Sequence, residues 1–555
     1  RRFSLAPEKC SELAFPLPES RVPGYYPVKL TLNGETGYAA FAVVPEPHPF
    51  RPGEGFFGLH AGAVPYRALR RIGCSWIRAS VMKWSEAESR RGRILPIRKR
   101  DFGGVPMNQL GLTEVLIDVP GWAAGPHRTP EHPEWFAEYL HRAATAGLPE
   151  TGFFELANEP DWMLLRHGNS AEQALELYVR ALRAAAPVLR SAGAKLVHGS
   201  SGNGERFSEA VFRQAAASFD VYAPHTYVQP RYLGVGAIGC RSPEEGKIRE
   251  RMLAAEKLLA AGGNRQELWV GELGWALDTA AAPDSKWAVR QAEYLSRAML
   301  LCRTVPSLRR VIWFTCLGML EGRNYEYGIF RNDNGIHPLP AAAAYAWCAA
   351  ELEQARDCRL AYDGEFKLVG WKSESGNAFA LWSADEEAEP LRISLPQGVS
   401  AFSMFGTPEP GVLEIGSSPV FLHGGNDALE AELIRRFDAG RPLNAAIRLA
   451  GVQEVAVTLR TGSSGGWSGE LSLAGVSRRI RLAPGKEEEI RMPLAEKPGT
   501  EASPLRLDFT SDEGAQFALV RTLPGLHPIR RGLRLNREPD FILDRREFLL
   551  PPDPA

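Results

Sequence analysis

The chain has 555 residues, with 65 Lys and Arg against 66 Asp and Glu, a formal net charge of −1. At about 150 residues per domain that length points to roughly two to four domains. The near-neutral balance gives no global attraction to nucleic acid or to an anionic membrane, and neither is expected as a partner. The longest unbroken apolar run, Ala341–Ala350, has ten residues, about half of what a membrane-spanning helix needs.

In chain order, residues 24–45 read as a β-hairpin. Val28, Leu30 and Leu32 alternate with Lys29 and Thr31, and Asn33-Gly34 supplies the tight turn. Pro45, Pro47, Pro49 and Pro52 follow as a stiff linker. Between about 54 and 355 short apolar runs alternate with helical patterns. The expected strands are Gly55–His60, Ser75–Ser80, Glu114–Val119, Gly152–Asn158, Lys195–Ser200, Phe219–Pro224, Glu267–Glu272 and Arg310–Cys316. Ala171–Ala192 repeats Leu175, Tyr178, Val179 and Leu182 at helical spacing, Ser242-Pro243-Glu244-Glu245 reads as a helix start, and Pro338 opens a final helix. Eight strand–helix units in this order predict an α/β fold, a (β/α)8 TIM barrel, with a doubly wound sheet as the structural competitor.

After residue 360 the texture changes to short alternating strands, among them Phe366–Trp371, Ala378–Trp382, Val452–Leu459 and Leu505–Phe509. This is β-sandwich texture. The expected organisation is strands within 1–53 that complete a β-sandwich, a barrel over 54–355, the rest of that sandwich over 356–425, a second accessory β-sandwich over 426–530, and a tail or linker over 531–555. Gly424-Gly425-Asn426 marks the boundary between the two sandwiches.

Seven cysteines, at 10, 74, 240, 302, 316, 348 and 358, form no C-x-x-C pair, so a zinc ribbon or thioredoxin-like site is unsupported. No metal and no cofactor is expected. Residue 1 is Arg, and no leader pattern follows it. The start reads as processed or trimmed, with a secreted or cell-surface location favoured, and the oligomeric state is open. Ten of the 13 tryptophans lie between residues 54 and 355, which fits a large core or a cleft for ring-shaped ligands.

Barrel active sites stand at the C-terminal ends of the strands. The fourth strand runs Phe153-Phe154-Glu155-Leu156-Ala157-Asn158-Glu159-Pro160, an apolar run ending in Asn-Glu-Pro. The seventh runs Leu268-Trp269-Val270-Gly271-Glu272-Leu273-Gly274 and also ends in a glutamate. Two carboxylates flanking one bond is what glycoside hydrolysis requires. Glu155, polar inside a strand, is expected to have a structural partner and no catalytic role. Two further patterns carry no such chemistry. Gly234-x-Gly236-x-x-Gly239 lacks the strand before and helix after that a dinucleotide site needs, and Gly462-x-Ser464-x-Gly466 lies between strands, without a nucleophile elbow's strand-to-helix turn.

With these two segments, residues 54–355 resemble clan A of the retaining glycoside hydrolases, in particular families five and thirty-nine. The resemblance implies that Glu159 is the acid/base, Glu272 the nucleophile, and Asn158 a contact of the sugar 2-hydroxyl. It implies further that Arg78, at the end of strand two, keeps Glu272 ionised while Glu272 raises the pKa of Glu159. His225 and Tyr227, after strand six, would orient the nucleophile, and Trp313, on strand eight, would form an aromatic floor under the sugar. His60, Trp122 and Trp162 are expected to line the cleft. The implied activity is retaining hydrolysis of β-glycosidic bonds in an oligo- or polysaccharide. Two alternatives stay open: a transglycosylase on the same barrel, and a catalytically inactive carbohydrate-binding protein.

Overall fold

The computed structural model describes residues 22–523, apart from 33–34, 50–53, 61–65, 80–82, 94, 96–110, 116–118, 125–131, 146–151, 162–163, 165–168, 200–204, 229–241, 264, 319–324, 333–335, 387–389, 441–442, 452, 462–465, 497–502 and 515. The glycine pattern at 234–239 and most of that at 462–466 lie outside the described residues.

Gly24–Leu32 and Glu35–Val43 pair as the antiparallel hairpin. It stays a two-stranded sheet of its own. The Tyr25 and Phe405 rings lie 6.3 Å apart, and Thr407 Oγ1 donates to Pro23 O at 3.0 Å. The hairpin thus touches the later strands through side chains, without adding to their ladder.

Eight parallel strands then follow: Phe57–His60, Trp76–Ala79, Gly111–Val115, Phe153–Glu155, Lys195–His198, Val221–Tyr222, Glu267–Leu273 and Leu308–Trp313. Numbered one to eight, each pairs with the next, and strand eight pairs with both seven and one, so the sheet closes. Strand three begins ahead of the expected Glu114–Val119. Strand residues buried on both faces, such as Leu59, Val270 and Val311, explain the unbroken apolar runs. Helices Ala171–Ser191, Ile248–Ala261, Lys286–Arg303 and Pro340–Leu352 belong to the same unit. The first is opened by a capping box between Ser170 and Gln173. Ser242 and Glu245 also exchange capping bonds, of 2.9 and 3.2 Å. The helix expected there nevertheless starts later, at Ile248, because Lys247 takes a left-handed φ of 52° that interrupts helical backbone.

The barrel's N-terminal end is plugged. Arg310 lies with its guanidinium carbon 3.6 Å from the Trp76 ring centre and 4.3 Å from that of Trp269, while Glu267 accepts from it at 3.3 Å. The aromatic faces and the carboxylate offset part of the cost of burying this cation, while burial still lowers its pKa to about 10.

Beyond the barrel, a six-stranded antiparallel sheet and the pair Leu391–Ser394 with Val412–Ile415 enclose a core that includes Phe366, Leu368, Phe379 and Leu413. Helix Asp427–Gly440 follows, where the sequence reading placed a boundary. Asn426 Oδ1 accepts from Leu429 N at 3.0 Å, and Leu429, Leu433 and Phe437 join that same core. The last seven strands form sheets of three and four around Leu459, Leu471 and Phe509. Arg521 ties them to the preceding sheet through Asp385 and through Glu365 at 3.0 Å. Among the described residues no helix is long and apolar enough to cross a membrane.

Candidate active site

Strand four ends at Glu155, and its chain turns sharply. The backbone at Glu159 has φ 44°, a left-handed conformation rare for a residue with a side chain and characteristic of functional sites. Pro160 then opens a helical turn, where its missing N–H is no loss. Opposite, the pairing of strands six and seven continues past their regular ladder. Gly271 N donates to Pro224 O at 2.9 Å and Thr226 N to Glu272 O at 2.9 Å. A Cβ on Gly271 would stand 2.5 Å from Ala223 O and 3.1 Å from His225 Cδ2, so only glycine lets the two strands approach at this level.

These turns bring Glu159, His225 and Glu272 together. His225 Nδ1 lies 2.9 Å from Glu159 Oε1 and 3.5 Å from Glu272 Oε2. One oxygen of each carboxylate and the imidazole nitrogen all fall within 4.8 Å of one another. This is also the three-residue group among the described residues with the spacing of a cation site. At 2.9 Å the His225–Glu159 contact is a hydrogen bond, whose proton belongs to Nδ1 or to Glu159 according to their protonation. Burial opposes charge on His225, but Glu272 and the bond to Glu159 outweigh it and raise its pKa.

Arg78, ending strand two and fully buried, organises the rest. Its Nε and one terminal nitrogen donate to Glu155 Oε2 at 2.6 Å and Oε1 at 2.7 Å. That terminal nitrogen also donates to Asn158 Oδ1 at 2.8 Å. The other donates to Glu272 Oε1 at 2.5 Å and to His60 Nδ1 at 3.0 Å. Every guanidinium N–H is matched by an acceptor. Tyr227 OH donates to the second oxygen, Glu272 Oε2, at 2.7 Å. Burial pushes the Glu272 carboxyl up, but His225, Arg78, His60 and the Tyr227 hydroxyl prevail and hold it at about 2. Glu272 is thus kept ionised. The structural partner expected for Glu155 is Arg78.

The aromatic residues differ from the sequence reading. Trp313 is fully buried, its ring 5.7 Å from that of Trp275, and offers no face to a ligand. The next residue, Phe314, is only partly buried. Its ring lies 5.0 Å from that of His60, 6.1 Å from Tyr227 and 5.6 Å from Tyr327. Phe314 N donates to Leu273 O at 2.8 Å, and Cys316 N to His60 O at 3.0 Å, so this end of strand eight is stitched between strands seven and one. Trp122 packs with Trp84 and Trp135 and donates to Glu88 O at 2.6 Å, a set of contacts separate from the carboxylate network. Trp162 lies outside the described residues. Phe314 and Tyr327 were missed in sequence; their one available signal is position, just after strand eight.

No protein-family profile and no curated protein sequence matches the chain. Its fold does match solved structures. A family 39 glycoside hydrolase from the gut symbiont Bacteroides cellulosilyticus WH2 aligns with a TM-score of 0.56 and 20% identity, over 72% of this chain and 88% of that one. The barrel fold resembles that of a family 39 glycoside hydrolase. A family 30 subfamily 8 xylanase from Clostridium acetobutylicum aligns at 0.43 and 12% identity, over 68% of this chain and 96% of its own. A glucosidase from Croceicoccus marinus aligns at 0.42 and 12%, over 80% and 95%. A shared fold does not carry its activity with it, so function is argued from the site.

Proposed function

We propose that the protein is a glycoside hydrolase of the retaining clan A type, acting on β-glycosidic bonds of an oligo- or polysaccharide through residues 54–355. The observation that carries this reading is the convergence of two glutamates from strands four and seven on one imidazole, with carboxylate oxygens within 4.8 Å. Retaining enzymes keep their carboxyls about 5–5.5 Å apart, whereas inverting ones need roughly 6.5–9.5 Å to admit a water.

In this reading Glu272 attacks the anomeric carbon, since Arg78 and Tyr227 hold it ionised and aimed. Glu159 gives its proton to the departing oxygen, and its side chain, 23% exposed, is open to the cleft. His225 neutralises charge between them, as Glu159 passes between acid and carboxylate forms. Water then resolves the glycosyl-enzyme with Glu159 as base. Asn158, whose Oδ1 is taken by Arg78, presents its amide N–H to the sugar 2-hydroxyl. Phe314, with Tyr227 and Tyr327, forms the apolar wall. The test is hydrolysis of a panel of aryl β-glycosides and plant, fungal and bacterial polysaccharides, beside Glu272→Ala, with the first-formed anomer read by proton NMR. Loss of turnover in the variant and a β product support the reading; an α product, or activity that survives, overturns it.

A further inference from the structure

We propose that His60 is a tautomer-locked, neutral hydrogen-bond donor that presents Nε2–H to a hydroxyl oxygen of the sugar bound over Glu272; this rests on the hydrolase reading. The lock follows from Arg78. A guanidinium donates and cannot accept, and its terminal nitrogen stands 3.0 Å from His60 Nδ1. Nδ1 must therefore be the acceptor, and the single ring proton resides on Nε2. The guanidinium cannot swing away, because Glu155 holds its other edge at 2.6 and 2.7 Å.

The imidazole also stays neutral. A second proton would have to sit on Nδ1, facing the Arg78 cation. Burial and Arg78 oppose that charge more than Glu272 favours it, and they lower the pKa of His60 to about 4.

The ring is not fully enclosed. The His60 side chain is 25% exposed, Nδ1 is the nitrogen turned to Arg78 and Glu272, and Phe314 lies beside the ring at 5.0 Å. Among the described residues nothing accepts from Nε2, which is left for a ligand. With Nδ1 3.9 Å from a Glu272 oxygen, the ring stands beside the nucleophile, and a neutral donor on it suits a neutral hydroxyl. With the positive charge of Arg78 already matched by Glu155 and Glu272, this edge adds no cation to attract an anionic group.

Two measurements test this. Ring-nitrogen NMR of the full chain carrying isotope-labelled histidine, assigned by the signal lost in His60→Gln, is expected to show the neutral Nε2–H form from about pH 5 to 8. An Nδ1–H tautomer, or protonation near the ordinary histidine pKa, overturns the proposal. Kinetics on aryl β-glycosides then separate the two nitrogens. Asn places its amide near Nδ1 and keeps the Arg78 contact without the donor; Gln reaches the Nε2 position. His60→Asn is expected to lose roughly tenfold in kcat/KM, the worth of one hydrogen bond, and His60→Gln clearly less. Equal losses, or none in the Asn variant, overturn it. Glu272→Ala, run alongside, reports on the hydrolase reading separately: activity surviving there sinks that reading while the NMR result stands.

Discussion

Arg78 and Glu155 form a two-pronged ion pair across strands two and four, with both side chains 1% exposed. It fixes the direction in which Arg78 meets Glu272. Glu155→Gln leaves a buried guanidinium partly uncompensated and is expected to lower stability by about 3 kcal/mol. Because Arg78 acts on Glu272 directly and on the sugar only through Asn158 and His60, kcat is expected to fall more than KM rises. Urea unfolding with steady-state kinetics checks both; a change confined to KM would contradict the assignment.

Tyr227→Phe removes the hydroxyl that donates to Glu272 Oε2 at 2.7 Å. That bond is one of the contributions keeping Glu272 near 2. Without it the folded pKa rises, so the acidic limb of kcat/KM moves to higher pH. The rate at the optimum is expected to drop about 10–100-fold, as for a hydrogen bond to a charged group. A pH–rate profile of the variant beside the parent reads the shift directly.

Phe314 and Trp313 are neighbours with opposite expected phenotypes. Phe314→Ala is expected to lower kcat/KM with little change in melting temperature, since its ring is only partly buried beside His60 and Tyr227. Trp313→Ala opens a cavity in the core and is expected to cost about 3–5 kcal/mol of stability. Thermal melts and kinetics of the two variants distinguish wall from core, and reversed outcomes would restore Trp313 as the aromatic floor.

Stability should peak near the ordinary histidine pKa. Burial lowers the pKa of His198 to about 3, and that of His60 falls to about 4, against 6.5 for a free histidine. Below 6.5 the unfolded chain takes up protons that these two refuse in the fold, so stability falls on acidification. His225 has the opposite sign: its folded pKa is raised, so its contribution is complete below 6.5 and is lost as pH rises through the folded value. Melting temperature against pH is expected to show a shallower acid slope in His198→Gln than in the parent.

The two glutamates and their strands were legible because an apolar run that stops at a charged residue marks a strand end, and barrel chemistry sits at strand ends. The one-residue error at Trp313 has a physical cause. Val311, Ile312, Trp313 and Phe314 are all apolar, and a parallel strand buried on both faces shows no alternation to say which side chain leaves the core. Helix Asp427–Gly440 carried readable signals, an Asn426 cap and Leu429, Leu433 and Phe437 at helical spacing, hidden by the glycine pair before it. Arg78 was readable as a partner of Glu272. Its simultaneous hold on Glu155, Asn158 and His60 joins residues distant in sequence and is set only by barrel closure.

The stack of Arg310 between Trp76 and Trp269 has a consequence at the opposite end of the barrel. With Phe153, Val197 and Val221 packed beside the two tryptophans, the barrel axis is filled and offers no passage from one end to the other. Whatever meets Glu159 and Glu272 therefore reaches them from the end where the strands finish.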